Sequence, residues 1–186
     1  ASGQVARLDE DRDGDGKPYR VTSFDGGRPT RVEEDGNADG KLDRRVQLDD
    51  AGRPVTQEDD ADGDGRFDLT TRFENGQKVR EERDTKNKGR ADVVTVFEHG
   101  MAIRQERDTK GTGSFDAVTT FEGGRESAQQ RDTNGDGRPD LNVRFDSEGR
   151  TAQEEVDLDG DGRAEIVKRY QDGVLVREEE DTDREG

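Results

Sequence analysis

Glycine recurs along this 186-residue chain at a nearly constant interval, and that period limits the fold more than any single motif does. Gly16, Gly40, Gly65, Gly89, Gly113, Gly137, Gly162 and Gly186 follow one another at spacings of 24 or 25, each closing an acidic cluster. A second series comprises Gly27, Gly52, Gly76, Gly100, Gly124, Gly149 and Gly173, with Gly3 as the remnant of an earlier unit. Eight residues after each of the first seven cluster glycines stands a large apolar residue: Phe24, Leu48, Phe73, Phe97, Phe121, Phe145 and Tyr170. A unit of this length with two turn signals is one supersecondary element written repeatedly. Residues 1–186 therefore read as a single array of about seven and a half units with no separate domain.

The segment before each aromatic alternates. In "FDLTTRF", residues 67–73, Phe67, Leu69, Thr71 and Phe73 share one face, and Asp68, Thr70 and Arg72 share the other. Period two with β-branched enrichment, bounded by turns, predicts a strand. The segment after the second glycine, such as "QKVREERD", is of strand length but more polar. Two strands per unit joined by short turns predict an all-β fold, an antiparallel β-meander of about fifteen short strands with the acidic loops along one edge. The alternative is a β-solenoid in which each unit is one coil.

Such a sheet has little oil to work with. Only 24% of the residues are hydrophobic while 42% are charged, and the formal net charge is −17. Seven Phe, two Tyr, one Met and no Trp cannot fill a core of ordinary size, so order must draw on another source, for which a bound cation is the obvious candidate. Cysteine is absent, which excludes disulfides and thiolate metal sites. No apolar run approaches the length of a membrane span, and the acidic surface repels nucleic acid and anionic membranes.

A register follows if "ENG" at 74–76 is a three-residue loop: Phe73 then lies opposite Gln77 and Val79 opposite Thr71. In the 25-residue units the turn absorbs the extra residue, so that "DSEG" leaves Phe145 opposite Arg150 and Ala152 opposite Val143. The faces are kept. The apolar face then requires a cover, from coiling of the sheet, a second copy or a partner.

The acidic loops follow the pattern D-x-D/N-x-D-G-x-x-D. It appears as Asp35, Asn37, Asp39, Asp43; as Asp60, Asp62, Asp64, Asp68; and as Asp132, Asn134, Asp136, Asp140. Asp157, Asp159, Asp161 and Glu165 form a fourth version, and Asp11, Asp13 and Asp15 a fifth with Tyr19 in the last place. Alternate short carboxylates in a tight loop converge on one point, and glycine at position 6 lets the next carbonyl turn inward. An all-oxygen set without Cys or clustered His suits calcium better than zinc. Five such ions would bring the formal charge from −17 to −7 and couple folding to binding.

These loops resemble the first nine positions of an EF-hand calcium loop and the short loops of thrombospondin type 3 and dockerin repeats, and set in 24–25-residue β units they make the chain similar to a bacterial-type calcium-binding repeat protein. The resemblance implies that side chains 1, 3, 5 and 9 and carbonyl 7 are ligands. It stops at position 12, where an EF-hand has a bidentate Glu and this chain has Val46, Thr71, Val143 or Lys168. The register above offers replacements: Glu82 opposite Asp68, Glu58 opposite Asp43, Glu155 opposite Asp140, Glu179 opposite Glu165 and Glu33 opposite Tyr19. Facing carboxylates are unfavourable unless a cation lies between them, so each Glu is expected to complete the preceding unit's site.

Two loops depart. "DTKNKGRAD" at 84–92 carries Lys86 and Lys88, and "DTKGTGSFD" at 108–116 carries Lys110 and Thr112, with Gln130 opposite Asp116 in that register. A lysine ammonium is expected to replace the ion in both, and no calcium is expected there. The chain stops inside an eighth loop with Asp181, Asp183 and Glu185, which is expected either to continue in a longer protein or to be completed by another copy.

No catalytic constellation is present; His99 sits in the turn "EHG", and the carboxylate pairs recur in register as structural ligands do. The chain is expected not to be an enzyme. The reading is a calcium-stabilised extracellular or cell-surface structural protein, a rod or filament subunit that self-associates head to tail. The alternative is a calcium-dependent adhesion module for a glycan or protein partner. Neither nucleic acid nor membrane insertion is expected.

Overall fold

The computed structural model describes residues 5–181. Among the described residues there are fifteen strands and no helix, the strands hydrogen-bonded antiparallel in one open sheet whose strand order is the chain order. The chain is thus a β-meander, and the solenoid alternative does not hold. Two compact units divide it, Ala1–Ala91 and Asp92–Gly186. The first unit holds β1 (Arg7–Glu10), β2 (Arg20–Asp25), β3 (Arg28–Glu34), β4 (Arg44–Leu48), β5 (Pro54–Asp59), β6 (Leu69–Glu74) and β7 (Gln77–Arg83). The second holds β8 (Val93–Glu98), β9 (Met101–Arg107), β10 (Ala117–Glu122), β11 (Arg125–Arg131), β12 (Leu141–Phe145), β13 (Thr151–Val156), β14 (Ile166–Gln171) and β15 (Val174–Glu180).

The hairpins of the 24-residue units turn more tightly than the sequence reading expects. Glu74 pairs with Gln77, leaving a two-residue turn, Asn75-Gly76, with φ of 52° and 78°. Positive φ at both central residues is the type I′ turn, whose twist matches that of the flanking strands. The 25-residue units do absorb their extra residue in the turn: Asp49 N–H bonds Arg53 O at 2.8 Å and Asp146 N–H bonds Arg150 O at 2.8 Å, with Gly52 and Gly149 left-handed.

Every hairpin then bulges beside its large apolar residue. In β6–β7 the register shifts between Arg72 and Phe73, so Phe73 pairs with Lys78, Arg72 with Arg80, and Val79 is the inserted residue. In β12–β13 the shift falls between Arg144 and Phe145, and Ala152 is inserted. The expected pairs Phe73 with Gln77, Val79 with Thr71, Phe145 with Arg150 and Ala152 with Val143 are therefore corrected. The tighter turn and the bulge each move the partner strand by one residue.

A continuous row of side chains runs across the middle of each unit. In the first, Thr22 faces Val32, Val32 faces Val46, Val46 faces Gln57 and Gln57 faces Thr71. In the second, Gln105 and Gln129 donate to the Thr95 and Thr119 hydroxyls at 3.1 and 3.3 Å. Among the described residues the buried apolar side chains are Val32, Val94, Ala117 and Val143, and no large side chain is fully buried. On the opposite face of the first unit Arg45 lies between Glu33 and Glu58, 3.2 Å from each. Ladder bonds, amide-hydroxyl contacts and ionic rows thus do much of what a second layer would do elsewhere.

Candidate metal centre

In each unit the acidic loops join an odd strand to the following even one and lie at the end opposite the hairpin turns. Their shape comes from their own side chains. In loops 60–68 and 157–165 the carboxylate at position 1 accepts the amides of positions 4 and 6: Gly63 and Gly65 donate to Asp60 at 2.8 and 2.7 Å, and Gly160 and Gly162 to Asp157 at 2.7 and 2.8 Å. Position 3 accepts the amide of position 5, as Asp62 does from Asp64 at 3.1 Å, and position 5 that of position 7, as Asp64 does from Arg66 at 2.8 Å. Position 9 reaches back to the amide of position 2: Ala61 donates to Asp68, Thr109 to Asp116 and Leu158 to Glu165. Short side chains that bond amides two to five residues away are what make a sharply coiled loop from these residue types.

The coiling gathers oxygen ligands. Oxygens of Asp157, Asp159, Asp161 and Glu165 lie within 4.8 Å of one another, as do those of Asp11, Asp13, Asp15 and those of Asp60, Asp62, Asp64. These three acidic clusters could hold a metal ion, and every donor in them is a carboxylate oxygen. Of the two loops with Asn at position 3, loop 132–140 holds its first carboxylate through Gly135 and Gly137, whereas Asp35 takes only the Gly40 amide, and the Asn side chains differ in partner. Asn37 donates its side-chain amide to Asp43 at 3.1 Å, and Asn134 donates to Asp136 at 3.2 Å. In loop 35–43 one oxygen of Asp35 is buried without a hydrogen-bond partner. An orphaned carboxylate oxygen at the first ligand position is open to a cation or a water.

Hydrogen-bond donors favour the ionised form of several loop carboxylates. Amide bonds from Gly16 and Gly14 hold the Asp11 carboxyl below the ordinary aspartate range, and the Asn87 side chain, 2.8 Å away, does the same for Asp62. Burial pushes the Asp84 carboxyl up, but amide bonds from Lys88, Gly89 and Arg90 outweigh it and the net shift is downward.

Position 4 is a feature that the sequence reading passed over. It is left-handed throughout: Gly14, Gly63, Gly135 and Gly160 have φ of 78°, 79°, 87° and 78°, and Ala38 takes the same place at 61°. The repeated DGDG text carried that signal, since two glycines in one loop ask for two left-handed residues.

The glutamates expected to complete the sites do not stand opposite position 9. Glu82 pairs with Thr70 and its carboxylate takes Arg80 at 2.6 Å; Glu58 pairs with Arg45 and Thr70; Glu33 pairs with Val21 and Arg45. Glu155 pairs with Asn142 and accepts from Gln153 at 2.7 Å, and Glu179 pairs with Val167 and takes Arg169 at 2.9 Å and Arg177. Gln130 pairs with Val118, not Asp116. The two-residue displacement in the hairpins is the cause. Opposite position 9 stands the first Asp of the next loop, joined through the backbone: Asp60 N–H bonds Asp43 O, Asp84 bonds Asp68 and Asp157 bonds Asp140, at 2.9, 2.8 and 2.9 Å. At loop 11–19 the ninth residue is Tyr19, with the Arg12 guanidinium 4.4 Å from its ring centre. Asp181 bonds Glu165 O in the same manner, while Asp183 and Glu185 lie outside the described residues.

Among the described residues no helix is long and apolar enough to cross a membrane. No family model and no curated protein matches the chain. It is similar to a chain in the crystal structure of accessory secretory protein 1, 2 and 3 in Streptococcus pneumoniae, at 20% identity and a TM-score of 0.39, over 48% of this chain and 17% of that one. The match thus spans less than a fifth of that structure's length.

Proposed function

We propose that this is a calcium-stabilised extracellular structural repeat protein, the subunit of a rod or filament that assembles head to tail. The observation that carries the reading is the convergence of carboxylate oxygens to within 4.8 Å in loops 11–15, 60–64 and 157–165, inside a sheet that buries almost no apolar side chain. Clustered like charges oppose folding until a cation enters, so the metal supplies the stability that a hydrophobic core would otherwise give. Hard oxygen ligands without nitrogen or sulfur favour calcium, with side chains 1, 3, 5 and 9 of loops 35–43, 60–68, 132–140 and 157–165 and the three aspartates of loop 11–15 as ligands. Loops of this kind in extracellular modules bind at roughly 10⁻⁴ to 10⁻³ M and fill only where calcium is plentiful, which supports an extracellular setting. An open sheet has edge strands whose amides and carbonyls can pair with a second copy, which supports self-association.

Circular dichroism with size-exclusion light scattering tests this, in calcium and then in excess chelator. Chelation is expected to reduce the β signal in part or disperse the assembled species, and calcium to restore it. An unchanged spectrum and mass would make the loops solvated turns and remove the reading.

A further inference from the structure

Loop 108–116 lacks the ligand pattern, with Lys110 at position 3 and Thr112 at position 5, yet three carboxylates in and beside it are almost wholly buried. Asp108 is 3% exposed, Asp116 9% and Asp140 6%. A carboxylate withdrawn from water is costly unless donors or a positive charge face it. Local donors meet part of that need: Thr112 and Gly113 amides bond Asp108 at 2.9 and 2.7 Å, and Thr109 bonds Asp116 through both amide and hydroxyl.

Lys110 supplies a positive charge to meet the rest, while its hydrogen bonds go to the next loop. Its ammonium donates to Asp132 O at 2.9 Å and Thr133 O at 3.1 Å, the first two carbonyls of the next loop. The amide of Asp132 closes the same junction on Asp116 O at 2.9 Å. Burial pushes the Asp116 and Asp140 carboxyls up; hydrogen bonds from Thr109 and Thr133 respectively, together with the charge of Lys110, outweigh it and hold both below the ordinary range. Other ties between loops differ in origin. Lys41 Nζ reaches Asp64 O at 2.7 Å and an Arg138 guanidinium nitrogen reaches Gly160 O at 3.3 Å, and both of these cations come from position 7. Lys110 instead spends a ligand position on the tie.

We infer that Lys110 is a tethered cation that keeps the junction between loops 108–116 and 132–140 closed without a divalent ion. The second unit thereby contains a joint whose order does not depend on calcium. The contrast with the other loops rests on the calcium reading above; the tether itself is made of the chain's own atoms.

Amide hydrogen exchange followed by NMR on the full chain tests it, in calcium and in EGTA, for the wild type, Lys110→Met and Lys110→Arg. In EGTA the wild-type Gly63, Gly65, Gly160 and Gly162 amides are expected to exchange about tenfold faster or more, while that of Asp132, which bonds Asp116 O across the junction, changes by less than about twofold. Lys110→Met should speed Asp132 about tenfold in both buffers, and Lys110→Arg should leave it near wild type. Equal opening of all loops in EGTA, or an unchanged Asp132 amide in Lys110→Met, would overturn the tether. Loss of protection in β2 and β3 of that variant would overturn it too, since a local tie cannot reach so far. If EGTA alters exchange nowhere, the calcium reading fails while the Lys110→Met comparison still decides the tether.

Discussion

Ala38 sits in a conformation that its neighbours in the array give to glycine. At φ 61° its Cβ is held where a left-handed backbone crowds it, whereas Gly63 and Gly160 reach 79° and 78° without a side chain. Relief of that crowding is partly offset by the greater freedom glycine has when unfolded. Ala38→Gly is therefore expected to stabilise the chain by about 0.5–1 kcal/mol, read as a higher urea midpoint. The carboxylates set a pH limit at the same scale. Asp11, Asp62, Asp84, Asp116 and Asp140 all have folded values below the ordinary aspartate range. Groups depressed in the folded state contribute stability that is complete above their unfolded value, about 3.9, and is lost as pH falls through the folded one. A urea midpoint constant from pH 7 to about 5 and falling steeply below about 4 is expected in calcium.

The hairpin is the element that decides which carboxylates meet. A two-residue turn followed by a bulge beside Phe73 moves Glu82 from Asp68 to Thr70, where it pairs with Arg80. Glu82→Gln should leave calcium affinity unchanged by calorimetry, and its cost should be that of a half-exposed ion pair, within about 1 kcal/mol. Asp62→Asn removes a ligand charge from the 60–64 cluster and is expected to weaken the affinity of that loop by about tenfold. If the two variants behaved alike, the assignment of the site to the loop alone would be wrong. The backbone bond from each loop's first Asp to the preceding loop's ninth residue makes adjacent loops neighbours in the sheet, which no reading of one loop by itself reveals.

Across the molecule, a net charge of −17 and a thin layer of buried side chains leave folding with little margin. Much of this was legible in the sequence. Repeat length, strand count, the meander and the place of the acidic loops all depend on local preferences: alternation sets a strand, and Asn-Gly or a run of short acids sets a turn. Those rules act over a few residues and leave their mark on the text. The loop side chains were legible for the same reason, since their spacing alone coils the backbone around them. What the tertiary structure decided was register and partnership. Bulges recur beside Phe24, Leu48, Phe73, Phe97, Phe121, Phe145 and Tyr170, and only the first two have a proline next to them, Pro29 and Pro54; the rest carry no glycine or proline signal and arise because two paired strands must reconcile a twisted turn with a buried face. The sequence determined that acidic loops would recur along one end of a sheet. Only the folded sheet determined that Glu82 would face Arg80 rather than Asp68, and that Lys110 would reach the next loop rather than its own, because both depend on where one strand stops sliding against another.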